Sequence, residues 1–345
     1  MKKFLSLALA LVMALSLAAC GGGTPSEGGA EGSVDKKVTL NVSVPDPDNS
    51  YIYAAAAQFK ALAEQYSNGS LELNIFPNGT LYGGDGNAAV SSVGNGSLDI
   101  VILAASLYAS FDPSFFVISV PYLFNDTHQL QDYLNSDVGV GLFNRVESLG
   151  ITCLGRWTRS FRQVTNSVRP INSPADLSGL KLRTPNNSLY VEFFTACGAT
   201  ATPMTFNEVY NALQLNTLDG QENPVDVPAT NNFYEVQDYI SGTNHIADAW
   251  VVGMNTTKLN GLSEEQQNAL RTAAEECQQW YVDYQAEQDG NMLKLLTDNG
   301  MAYNEVPEEG FQEFVRISQG LYPTFKAMVN NDELFDATAA FCGKG

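Results

Sequence analysis

Arg183 closes a short stretch in which Leu180 and Leu182 alternate with Lys181, and Pro185 follows two residues later. Such alternation is the mark of a strand, and a proline lacks the amide needed to continue pairing, so the guanidinium falls at a strand's carboxyl end. In open α/β sheets that is where ligands bind. A planar guanidinium offers two parallel N–H donors to the two oxygens of a carboxylate, a geometry that lysine cannot reproduce. Farther along the same run, which extends from Gly179 to Pro228, Asn223 precedes Pro224 in a turn and carries an amide that both donates and accepts. Taken alone, Arg183 is also compatible with an ordinary surface ion pair, and Asn223 with a simple turn residue.

The bulk properties set what these groups can meet. The 345-residue chain has a formal charge of −20 and a pI near 4.3. Nucleic-acid phosphates and anionic membrane surfaces are repelled by such a chain, which excludes both as electrostatic partners. A small anion remains feasible, because screening over about 8 Å lets arginines in a cleft dominate distant carboxylates. The length suffices for two lobes, each with its own core.

At the start, Lys2 and Lys3 precede an apolar stretch from Phe4 to Ala19, too short for a membrane-spanning helix of about 20 residues. It ends in Leu17, Ala18, Ala19, Cys20 and resembles a bacterial lipoprotein signal, which implies that residues 1–20 are a signal and that Cys20 carries lipid after cleavage. The alternative is an ordinary secretory signal. Residues 21–36, rich in Gly, Ser, Glu and Pro, read as a flexible tether. The remaining cysteines, Cys153, Cys197, Cys277 and Cys342, show no CxxC pair or metal-ligand rhythm, and structural thiols are expected, with disulfides left open.

The elements that must position Arg183 follow from periodicity. Val38–Val44 alternates as a strand, Tyr51–Tyr66 has helical spacing behind a Ser50 N-cap, Leu71–Phe76 is a second strand, and a helix leads to Gly96 and a strand over 98–103. This strand–helix alternation predicts an α/β fold with parallel or mixed sheets. A second alternation opens near Ile151. It runs through strands at 161–165 and 180–183, a helix at 189–197, a strand at 200–203, and a helix over Thr205–Leu215 with Thr205 and Glu208 as a capping box. Ser263-Glu264-Glu265-Gln266 then starts an amphipathic pattern reaching Asp298, long enough to run along both lobes and brace a hinge.

Several motifs in fixed order carry a family resemblance: NGSLDIVIL, VPYLF at Val120–Phe124, FRQVTNSVRPINSPADLSGLKLR, GATATPMTFNEVYNALQLNTLDGQENP and TNHI at Thr243–Ile246. Together they are similar to the solute-binding proteins of tripartite ATP-independent periplasmic (TRAP) transporters, of the C4-dicarboxylate and sialic-acid-binding type. The resemblance covers nearly all of the chain after the signal. It implies an α/β fold of two lobes, type II, whose lobes close over an anionic solute and hand it to TRAP membrane permease subunits driven by an ion gradient. The organisation that follows is residues 37–159 with 249–288 as lobe I and 160–248 with 289–342 as lobe II, with solute between them. Arg183 matches the arginine that holds the ligand carboxylate, Arg162 in FRQVTN the second arginine of the cleft, Asn223 the cleft amide, and Phe206 an aromatic that packs on ligands. Arg156, Arg159 and Arg169 compete with Arg162 and are expected to be mostly solvated.

Sialic-acid-binding members carry charged side chains where this chain has Ala104 and Leu107, which disfavours sialic acid. A dicarboxylate, keto acid or hydroxy acid suits the site better, while Tyr51, Tyr108 and the polar loop Asp46–Ser50 leave room for a sugar acid. Enzyme chemistry lacks its parts: His128 and His245 lie outside any HExxH, GxSxG or CxxC arrangement, and no catalytic residue, cofactor or metal is expected. Gly139-Val140-Gly141 lacks the third glycine of a nucleotide loop, and Asp46, Asp48, Ser50 lack the glycine and distant Glu of a calcium loop. The alternatives are a sensor of the same fold feeding a signalling receptor and, more remotely, a secreted enzyme using Glu208 or Glu222.

Overall fold

A computed structural model describes residues 36–344. The signal, Cys20 and the tether up to Asp35 lie outside the described residues. The strands within them are β1 (Val38–Ser43), β2 (Leu71–Phe76), β3 (Ile100–Ala104), β4 (Ile151–Arg159), β5 (Gln163–Asn166), β6 (Lys181–Thr184), β7 (Thr200–Pro203), β8 (Gly220–Asn223), β9 (Tyr239–Gly242), β10 (Asp248–Asn255) and β11 (Ala302–Glu305). They form two mixed sheets, ordered β2-β1-β3-β10-β4 and β11-β9-β5-β8-β6-β7. In the first, β1 runs parallel to β2 and β3, whereas β10 is antiparallel to β3 and β4. In the second, β6 runs parallel to β7 and β8, and β5 is antiparallel to β8 and β9. The α/β architecture is therefore as expected, although β4, which opens the second alternation of the sequence, is an edge strand of the first sheet.

The chain passes between the sheets at 160–162 and returns at 243–247. These crossings pair with each other, Arg162 N donating to Ile246 O at 3.1 Å and His245 N to Arg162 O at 3.3 Å. Beside them runs a 35-residue helix, Glu264–Asp298, started by the Ser263–Gln266 capping box. One of its faces, with Leu270, Ala274, Cys277 and Tyr281, packs into the first sheet's core, and Trp157 Nε1 donates to Ala274 O at 2.8 Å. Its far end, at Leu296, joins Val225, Ala229 and Ile240 beside the second sheet. One helix thus touches both halves. Ser263→Ala is expected to cost about 1 kcal/mol, because a first-turn amide loses its acceptor; a urea midpoint unchanged from wild type would contradict this.

Local signals elsewhere match the structure with two corrections. Ser50 caps Tyr51–Tyr66, its hydroxyl accepting from Tyr53 N at 3.2 Å. The helix expected over Thr205–Leu215 is instead a 3-10 turn at Phe206–Glu208 followed by a helix at Val209–Gln214. Thr205 does not cap it through the backbone: its hydroxyl donates to the Glu208 carboxylate instead. The four cysteines are free and buried, and burial raises the Cys153 and Cys197 thiols to about 12, far from thiolate chemistry.

Candidate functional site

The carboxyl ends of β1, β3 and β4 in one sheet and of β6, β7 and β8 in the other converge on a single cavity of about 80 Å³. A single water needs about 10–15 Å³, so the cavity has room for more than one water. The second sheet contributes Arg183, Met204, Phe206 and Asn223, the first Asp46, Ala104, Leu107, Arg159 and Trp250, and the crossing segment Arg162. All four residues singled out from the sequence, Arg183, Arg162, Asn223 and Phe206, are therefore brought together. Beside the cavity, Asn207 donates to Gly83 O at 3.1 Å, and Asn187 Nδ2 donates to Ser106 O at 2.9 Å. Gly84 sits at this contact with φ +73, and a Cβ there would lie 3.0 Å from Asn207, so glycine serves both the turn and the approach.

Arg183 is 3 % exposed. Its Nε and Nη2 both donate to Met204 O, at 3.0 and 2.7 Å, and the guanidinium carbon stands 5.8 Å from the Phe206 ring centre. Among the described residues no carboxylate lies within ion-pair distance of it. Burial pushes its pKa down, opposed by Glu222 and reinforced by Arg162. A buried cation without a counter-charge in contact is a costly arrangement that a bound anion would relieve.

Arg162 is engaged differently. Its Nη2 donates to Glu222 Oε1 and to Asn223 Oδ1, both at 2.9 Å, its Nε pairs with Glu222 Oε2, and Nη1 is 3.5 Å from Asp248. Glu222 is buried and held below the usual carboxylate range: burial works against this, while Arg162 and His245 outweigh it. His245 is satisfied at both nitrogens, by Thr243 Oγ1 at 2.8 Å and Glu222 Oε2 at 3.1 Å, and burial lowers its pKa. It is a structural histidine. Glu222 is thus tied into a buried pair, and Glu208 is exposed.

Arg159 corrects the expectation that Arg162's competitors are solvated. It is 5 % exposed, lines the cavity, donates to Asp248 at 3.2 Å and lies 4.2 Å from the Trp250 ring centre. The antiparallel register sets Asp248 opposite Arg159, a pairing between segments 89 residues apart that no local pattern displays. Arg156 bonds Leu134 O and Arg169 bonds Ser178 O, both away from the cavity. Tyr51 and Tyr108 do not line it: Tyr51 packs on Tyr284 and Tyr108 on Phe115. Of the loop Asp46–Ser50, Asp46 reaches the cavity and Ser50 caps its helix.

Behind Arg159 lies Asp226, 3 % exposed, whose carboxyl burial raises to about 7, with Arg159 opposing and Asp46 and Asp289 reinforcing. An unfolded aspartate titrates near about 3.9. Between these values the folded chain keeps a proton the unfolded chain has released, so the contribution of Asp226 to stability is greatest below about pH 4 and is lost as pH rises through about 7. Asp226→Asn should remove that decline, gaining on the order of 3 kcal/mol relative to wild type between about pH 4 and 8. Parallel pH profiles of urea unfolding in the two proteins would contradict it.

Two mixed sheets joined by paired crossings and a long helix, with a cavity at facing strand ends lined by buried arginines, define a two-lobed solute-binding protein. The chain belongs to the bacterial extracellular solute-binding proteins, family 7, whose family model matches residues 42–328. It is 35 % identical over 72 % of its length, and 75 % of the relative's, to the 2,3-diketo-L-gulonate-binding periplasmic protein YiaO of Escherichia coli K12. Among solved structures, the sugar acid binding protein DctPAm of Advenella mimigardefordensis, in complex with galactonate, superposes with a TM-score of 0.86 at 27 % identity, covering 90 % of this chain and 99 % of the other. A TRAP periplasmic solute-binding protein of Polaromonas sp. JS666 bound to D-erythronate gives 0.83 at 27 % identity, covering 88 % and 99 %. The family is one of binding receptors rather than enzymes. Among the described residues no helix is long and apolar enough to cross a membrane.

Proposed function

We propose that the chain captures a small organic acid between two lobes and delivers it to the membrane subunits of a TRAP-type transporter. The observation that carries this reading is Arg183: a buried guanidinium on a cavity wall, without a carboxylate partner. A ligand carboxylate supplies the missing charge and accepts its free N–H edge. Asn223 and Arg162 form the adjoining wall. Glu222 occupies Nε and Nη2 of Arg162, and Nη1 directs one N–H at Asp248, which leaves its other N–H to meet a ligand oxygen, while Phe206 packs on the ligand. The relatives that bind diketo-gulonate, galactonate and D-erythronate support an acid of this kind.

The lobes are residues 37–159 with 249–288, and 160–248 with 289–342, and they close by rotation about the crossings at 160–162 and 243–247. Solute shifts the population toward the closed form because only that form contacts it from both sides. A lipid on Cys20, supported by the Leu17–Cys20 run, holds the receptor at a membrane outside the cytoplasm. Thermal melting with a broad panel of organic acids, on protein refolded to strip bound solute, tests the reading. A matching acid at about 100 times its Kd stabilises the chain by about 2.7 kcal/mol, a shift of several degrees. A panel without any shift sinks it.

A further inference from the structure

We propose that Asp46 selects a polyhydroxylated monocarboxylic acid over a dicarboxylate or an unsubstituted acid, an assignment that rests on Arg183 holding the carboxylate. The polar groups on the crossing side of the cavity are satisfied: Glu222 by Arg162 and His245, Asp248 by Arg159 and Arg162, Asn223 by Arg162 and Gln221. The first sheet's wall differs. There Asp46 Oδ2, Tyr82 Oη and Arg159 Nε are all buried and without a hydrogen-bond partner, and all three residues line the cavity. Asp46 is 3 % exposed and Arg159 5 %.

Asp46 is held in that position by its backbone. Pro45 and Pro47 flank it and restrict the chain, and its carbonyl accepts from Asn78 N at 3.0 Å. The carboxylate is thus presented to the cavity by a stiff loop rather than folded back onto the protein. Buried polar groups are normally paired, so the partners of these three belong to whatever fills the cavity.

The combination restricts that molecule. A carboxylate accepts, a guanidinium N–H donates, and a phenol does either, so a hydroxyl is the ligand group that serves all three. An alkyl chain leaves every one unmet. A second carboxylate suits Arg159 but confronts Asp46 in the same small cavity, where burial already works against the charged carboxyl, with Arg159 and Arg162 opposing, and a like charge beside it is disfavoured further. An ammonium group suits Asp46 but faces Arg159, Arg162 and Arg183.

The test uses matched acids of two lengths: threonate, succinate and butyrate with four carbons, gluconate, adipate and hexanoate with six. Each is titrated into solute-free full chain by calorimetry and by tryptophan fluorescence, for which Trp250 on the cavity wall is the reporter. In at least one length the wild-type chain should bind the hydroxylated acid at least tenfold more tightly than both its partners. Asp46→Asn, which keeps shape and removes charge, should narrow the preference over the dicarboxylate at least tenfold, by losing the hydroxy acid and gaining the diacid. A wild-type chain that binds the diacid or the plain acid as tightly overturns the assignment without any variant. So does a variant that weakens all acids by one common factor, the mark of a merely structural role. If the wild-type chain binds these acids unselectively, the selector fails alone; if it binds no carboxylic acid of any kind, the Arg183 reading fails and takes the selector with it.

Discussion

Arg183→Ala is expected to weaken solute binding by more than about 2 kcal/mol, roughly thirtyfold or more in Kd, because a buried carboxylate loses a charged, two-pronged donor. The direction follows from the cavity wall: the guanidinium is buried, bonded to the Met204 carbonyl on one side, and without an acidic partner. Arg183→Lys restores charge but not the fork, so its affinity should fall between those of wild type and Arg183→Ala. Neither change strands a buried countercharge, so the loss should appear in ligand affinity far more than in the unfolding of the empty chain. Calorimetric titration of the three proteins with one acid settles the order. Equal affinities would remove Arg183 from the site.

Glu222→Gln should act the opposite way, on stability first. It takes the negative member from a buried pair in which Arg162 Nε and Nη2 both reach the carboxylate, and removing one partner of such a pair costs about 3–5 kcal/mol. Combining it with Arg162→Met should recover much of that loss, since well-packed apolar replacements of buried pairs are often neutral or better. Urea unfolding of the single and double variants measures both terms. A Glu222→Gln loss below about 1 kcal/mol, or a double variant as unstable as the sum of the singles, would show that the pair does not organise the crossing.

What was legible in the sequence was local. Ser50 and the Ser263–Gln266 box mark helix starts because a cap acts within a few residues, and Arg183 stands out because strand alternation and Pro185 are adjacent to it. The ordered motifs located Arg162, Asn223 and Phe206 as well. Arg159 was not legible as a site residue: its burial depends on Asp248 and Trp250, which reach it only through the β4–β10 register. The same holds for Asp46 and Tyr82, whose unmet polar atoms exist only relative to a cavity built from both sheets. Thr205 shows the reverse limit. Its spacing to Glu208 satisfies the capping-box pattern, yet the hydroxyl turns to the carboxylate and leaves the backbone uncapped.

The central claim, that Arg183 binds the carboxylate of a small organic acid, is tested most directly by native mass spectrometry of the purified chain and of Arg183→Ala. The wild-type chain should carry a solute whose mass and fragmentation identify a carboxylic acid, and the variant, expressed and purified alongside, should carry little or none. A neutral or cationic solute in the wild-type chain, or the same acid retained undiminished by Arg183→Ala, would contradict it.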